Sequence, residues 1–161
     1  MADSCAPLEL SVVREYPHPI DVVWEACTST QALVHWFGPE HAPAISFVAD
    51  IRPGGAWRAC LSRGEAVRPL YVCGRYIEID PPNVLVFTFR WEGDHHEDGP
   101  GVETEVTMAL KALSAHRTRL TLRQVGVRSV ESVRGHQHGW ESCMDRLGAW
   151  LSTQVSAVAL K

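Results

Sequence analysis

The stretch that most restricts how this chain folds is its last one, Ser132 to about Ser156. Its large or apolar residues are His136, Trp140, Cys143, Met144, Leu147, Trp150 and Leu151. They recur at i, i+4, i+7, i+8, i+11, i+14 and i+15, one broad stripe of an α-helix. Gln137, Glu141, Ser142, Asp145, Arg146 and Ser152 fall on the other side, which predicts a back that faces water. A long helix with one apolar face needs a large partner. Between Pro43 and Val125 the chain reads as short strands separated by turns, so that partner is the inner face of a sheet. The predicted class is α+β: a curved antiparallel sheet of about seven strands around one long terminal helix, with a space between them.

The rest of the chain supplies that sheet. Leu8 to Tyr16 alternates as an opening strand and stops at Pro17 and Pro19. Two short helices follow: one of about two turns with Asp21 in its first turn, and a second, capped by Thr28 or Ser29, that ends before Gly38-Pro39. Ala44 to Ile51 and Gly55 to Arg63 form a hairpin across R-P-G-G; Arg68 to Asp80 and Asn83 to Trp91 form another across Pro81-Pro82. Val102 to Ala112 and His116 to Val125 close the sheet. The expected order is β-α-α-β-β-β-β-β-β-α. Alternation points Trp57, Ala59 and Leu61, then Ile77 and Ile79, then Leu85, Phe87, Phe89 and Trp91 toward the helix, followed by Val106, Met108 and Leu110 and by Leu120, Leu122 and Gln124. Glu92 to Gly101 holds four acids, three glycines and no apolar residue, and reads as an exposed, mobile loop.

Composition excludes several functional classes. A chain of 161 residues is read as one domain, 1–161 with its core over about 8–156, able to bury about two thirds of its unfolded surface. Net charge is -4 and there is no basic run, which disfavours nucleic acid or an anionic membrane as a partner. No window approaches the roughly 20 apolar residues of a membrane span, and the start resembles no signal peptide, so a cytoplasmic location is expected. The five cysteines are odd in number, scattered and free of C-x-x-C pairs, against a disulfide framework or a zinc site. His136 and His138, two apart on a helix, point in different directions and cannot share a metal. His95 and His96 beside Asp94, Glu97 and Asp98 read better as a solvated loop than as a metal trap. No cofactor is implied.

Several short runs then add up. V-W-E-A at Val23 to Ala26, W-F-G-P at Trp36 to Pro39, D-I-R-P-G-G at Asp50 to Gly55 and G-R-Y-I-E-I-D-P-P at Gly74 to Pro82 come first. L-V-F-T-F at Leu85 to Phe89, T-R-L-T-L at Thr118 to Leu122, and H-G-W at His138 to Trp140 with Leu147 follow. In this order and spacing they resemble the START-related, or SRPBCC, superfamily, in the branch named after the ATPase activator of heat-shock protein 90, over Leu8 to about Leu151. The resemblance implies the helix-grip fold, in which a curved sheet wraps the C-terminal helix. Gln124 departs from the pattern: many relatives carry histidine at this cavity-facing position.

A curved sheet cannot follow a straight helix along its whole length, so a cavity of roughly 300 to 1,000 Å³ is expected between them. Candidate ligand-binding residues at that cavity are Trp36, Phe37, Trp57, Tyr71, Phe87 and Phe89. Gln124, His136, Trp140 and Met144 join them, together with Arg75, which shares inward parity with Tyr71. Gln124 and His136 are polar groups facing an apolar interior, so they bond each other, local backbone or a ligand. No nucleophile with its base, acid-base pair or metal set stands out, and no catalytic residue is assigned. Three readings remain: a binding module for a small hydrophobic molecule or lipid, which needs only the cavity; an enzyme of the polyketide cyclase or hydrolase kind, needing a polar pair among Gln124, His136, Tyr71 and Arg75; and a co-chaperone. The last is weakest, because eukaryotic activators carry an additional N-terminal domain for which this chain has no room, so a chaperone partner is disfavoured. A homodimer stays open.

Overall fold

The computed structural model describes residues 8–93 and 102–159, with side chains through Gln154. Strand β1 (Leu8–Tyr16) is followed by helices α1 (Ile20–Thr28) and α2 (Thr30–Trp36). Strands β2 (Ala44–Ala49), β3 (Ala56–Leu61), β4 (Leu70–Asp80), β5 (Val84–Trp91), β6 (Glu103–Ser114) and β7 (Arg117–Val127) come next, and helix α3 (Val130–Ala159) ends the chain. The seven strands form one antiparallel sheet in the order β1-β7-β6-β5-β4-β3-β2, so the first strand crosses over to pair with the last. The predicted class and element order are those observed. Most of the 92–101 loop, including His95, His96 and the acids beside them, lies outside the described residues, as does Cys5.

Apolar residues of alternate strand positions meet the α3 stripe in one core. Leu85, Val106, Met108, Leu120 and Leu122 are buried from the sheet; Trp140, Cys143, Met144, Leu147 and Leu151 are buried from the helix. The backbone of α3 packs on β1, α1 and α2. Toward β3 and β5 the gap is bridged by rings instead: Phe89 lies 5.7 Å from Trp140 and 6.0 Å from Trp57, and Phe37 lies 5.9 Å from Trp140 and 5.6 Å from Trp57. Gly74 makes one of these placements possible. The Trp57 indole crosses it to donate to the Thr88 carbonyl at 3.1 Å, and a Cβ at position 74 would sit 2.6 Å from the indole nitrogen.

Four sequence expectations are corrected. Ile77 does not face the helix; it is 47% exposed. The β4–β5 register slips between Tyr76 and Glu78, one extra residue that reverses the inward parity of everything before it. Val72 and Tyr76 are therefore the buried residues of β4, while Tyr71 and Arg75 face outward. Of the two residues expected to cap α2, Ser29 takes the cap position, without a side-chain bond, while the Thr28 hydroxyl bonds back to the Trp24 carbonyl. The back of α3 is not simply hydrated. Arg146 and Ser142 bind the segment after α2, Gln137 donates to the Ser11 carbonyl, and Asp145 pairs with Arg14, because β1 and the α2–β2 segment flank the helix on both sides. The strand pair β6 and β7 also runs past its predicted ends, to Ser114 and Val127.

Candidate functional site

A cavity of about 340 Å³ opens between the first half of α3, the ends of β3, β4 and β5, and the segment after α2. Its apolar wall is Phe37, Leu61, Leu70, Phe89, Trp91 and Trp140; its α3 side is Glu131, Ser132, Gly135, His136, Gly139 and Cys143. Gly38, Pro39, His41 and Ala42 complete the rim. These four hold their shape through α3. Arg146 Nη1 donates to the carbonyls of Phe37 at 3.0 Å and Gly38 at 2.7 Å, and Nη2 donates to that of His35 at 2.8 Å. The Glu40 N–H donates to Ser142 Oγ at 2.8 Å. Gly38 has φ +89°, a left-handed conformation that suits glycine, and a Cβ there would lie 2.5 Å from the Ala42 carbonyl oxygen.

Of the residues singled out from sequence, Phe37, Phe89, His136 and Trp140 line this cavity. Trp36, Trp57 and Phe87 instead border a second void of about 20 Å³, room for about one water, deeper in the core with Phe37 and Trp140. Trp36 donates its indole N–H to the Ala26 carbonyl at 2.9 Å, and Met144 is fully buried. Gln124 is fully buried and lines neither space: its Oε1 accepts the Trp140 indole N–H at 2.8 Å, and its Nε2 donates to Thr104 Oγ1 at 2.9 Å. Tyr71 and Arg75 lie on the outer face of the sheet. The Arg58 guanidinium sits 4.1 Å over the Tyr71 ring and binds Glu92 through two hydrogen bonds, and Arg75 donates to the Gly54 carbonyl.

His136 is held by both ring nitrogens. The Trp91 indole N–H can only donate, so Nε2, 3.0 Å away, is the bare nitrogen and Nδ1 carries the proton. That proton goes to the Ser132 carbonyl at 2.8 Å, so Nδ1 is no base for the Ser132 hydroxyl 3.2 Å away. Cys143 is no nucleophile either. Burial pushes its thiol up to about 12, against the opposing pull of the Gly38 N–H and Arg146, and a thiol that high stays protonated at neutral pH. No group of three or more His, Cys, Asp or Glu that could hold a metal occurs among the described residues. The lining is thus mainly apolar, with Glu131, Ser132 and His136 on α3 and His41 on the segment after α2 as its polar side chains.

Reasoning from sequence missed Gly135, Gly139 and Ser132 on α3, although they lie at i, i+3 and i+7 of the cavity face, because an apolar stripe is counted in large residues. Leu70 was missed through the β4 bulge, and Trp91 was placed inward without being recognised at the rim.

The arrangement of this sheet around α3 is shared. Residues 17–152 match the family described as Activator of Hsp90 ATPase homolog 1-like protein. The chain belongs to this family. Among solved structures, the AHSA1 protein of Silicibacter pomeroyi has a TM-score of 0.77 at 24% identity, covering 91% of this chain and 99% of that one. A Nitrosomonas europaea protein reaches 0.76 at 22%, over 92% and 97%. CalU16 of Micromonospora echinospora reaches 0.66 at 23%, over 96% and 82%. No curated protein matches the chain in sequence. Among the described residues of this AHSA1-type chain, no helix is long and apolar enough to cross a membrane.

Proposed function

We propose that this AHSA1-type protein binds a small, mainly apolar molecule in the space between α3 and the sheet. The observation that carries the reading is the cavity itself. Its volume of about 340 Å³ lies at the lower end of small-molecule sites, and rings and aliphatic side chains form its walls. The engagement of His136 by Trp91 and Ser132 and the high thiol pKa of Cys143 support holding over chemistry. Glu131, Ser132 and His136, all in the first two turns of α3, suit a ligand with one polar end.

Burying roughly 200 to 300 Å² of ligand at about 25 cal/mol per Å² gives about 5 to 7.5 kcal/mol before ordering costs, so micromolar affinity is expected for a generic hydrophobe. N-phenyl-1-naphthylamine, a neutral probe that brightens in apolar surroundings, should saturate the protein in that range. Leu70→Trp, which places an indole in the opening, should abolish the signal while leaving the far-UV spectrum unchanged. Failure of the wild type to saturate at millimolar probe, or full binding by a folded Leu70→Trp variant, would overturn the reading.

A further inference from the structure

Two glycines in α3 have no local structural reason to be glycine. Gly135 and Gly139 lie in the first half of a 30-residue helix, where glycine is the least favourable residue after proline. Neither has a positive φ, and a Cβ built on either meets nothing within 4 Å. Gly148 on the same helix is the contrast: a Cβ there would meet the Tyr16 ring at 3.3 Å. Tyr16 cannot easily withdraw, because it is buried and its hydroxyl donates to the Met144 carbonyl at 2.8 Å. Close packing therefore accounts for Gly148 and not for Gly135 or Gly139. What the latter two share is the cavity, which both line.

Resting on the reading of that cavity as a binding site, we propose that Gly135 and Gly139 are its specificity-determining residues and select a planar ring system over a flexible chain. Four residues apart, they bare about 6 Å of helix backbone on one face. His136 and Trp140 stand beside that strip, and Phe89 and Trp91 rise from β5, their rings 5.4 Å apart and nearly perpendicular. These neighbours are fixed: Trp140 by Gln124, and His136 by Trp91 and Ser132. A flat ligand can lie directly on the backbone with its edges against rings, so the face on the helix leaves water along its whole area. A methyl group at either glycine would occupy the layer where that face rests. A chain can bend around a methyl group; a rigid ring cannot.

The test uses 2-naphthol and 1-decanol, each with ten carbons and one hydroxyl, titrated by calorimetry into wild type, Gly135→Ala, Gly139→Ala and Gly148→Ala. Both cavity variants should melt higher than wild type, by about 2–4 °C, since a helical glycine is replaced in open space. They should bind 2-naphthol about tenfold more weakly while changing 1-decanol less than about threefold. Gly148→Ala should melt lower and keep the wild-type preference between the two ligands. If both ligands weaken equally, if 2-naphthol is unaffected, or if the cavity variants melt lower, the glycines do not select for planarity. Wild type that binds neither ligand would instead remove the binding reading on which this inference rests; wild type that binds 1-decanol as well as or better than 2-naphthol leaves that reading standing and overturns only the selectivity.

Discussion

Gln124 ties four elements together through one amide. Its oxygen takes the Trp140 proton from α3, its nitrogen donates to Thr104 of β6, and the Thr104 hydroxyl passes its own proton to the Phe89 carbonyl of β5 at 3.0 Å. Gln124 itself stands in β7. Replacing it with leucine leaves a buried indole N–H and a buried hydroxyl short of a partner, which costs more than the bonds themselves contribute. Gln124→Leu should therefore lower stability by about 1–3 kcal/mol in urea unfolding, and adding Trp140→Phe should cost less on that background than alone. Strict additivity of the two substitutions would rule out the network. Parity in β7 was enough to place this amide inside. It could not distinguish a ligand contact from a strut, because the partners come from residues 20 and 16 positions away.

At the scale of elements, the segment from Phe37 to Pro43 becomes a cavity rim only because α3 binds it. Arg146 reaches four successive carbonyls, from His35 to Gly38, closing the C-terminal end of α2 with a charged donor. Removing it should cost about 1.5–3 kcal/mol, in the range for hydrogen bonds from a charged group. Arg146→Met is expected to show that loss in denaturant. It should also speed hydrogen exchange at Ala42 and Ala44, whose N–H groups bond Pro39 and Phe37, relative to Leu120 in β7. Uniform acceleration across the sheet would mean that Arg146 acts on the whole fold and not on the rim. Here the helical stripe misled in one respect: it placed Arg146 on the side facing water, and the charge is half-buried against backbone. The β4 bulge is the other case, since one unpaired residue moved Tyr71 and Arg75 to the outer face.

For the molecule as a whole, charge couples to stability through a few groups. His18 is buried, and desolvation lowers its pKa from the ordinary 6.5, so the folded state holds it neutral where the unfolded chain takes up a proton. Stability should be complete above about pH 6.5 and fall as pH drops through and below that value. Glu15 beside Arg117 and Arg119, and Glu92 beside Arg58, are lowered from 4.5, so their contribution is lost further down, below about pH 4.5. Thermal melts from about pH 7.5 to 5.5 should show the first loss, and His18→Phe should flatten it; an unchanged slope would assign the dependence elsewhere.

The sequence alone determined the architecture, because α3 carries an apolar stripe too wide for anything but a sheet and the strands announce themselves by alternation and by Gly or Pro turns. It also determined that four rings or ring-like side chains, Phe37, Phe89, His136 and Trp140, point toward the gap between them. Tertiary structure decided which of those side chains are already used and where empty space remains. Gln124 is satisfied across strands, the bulge at Ile77 reverses one strand, and two glycines on the α3 side of the cavity leave helix backbone uncovered there. Periodicity reports which way a residue points. Whether space lies in front of it depends on how far α3 diverges from the curved sheet, which is set by all the packed residues together.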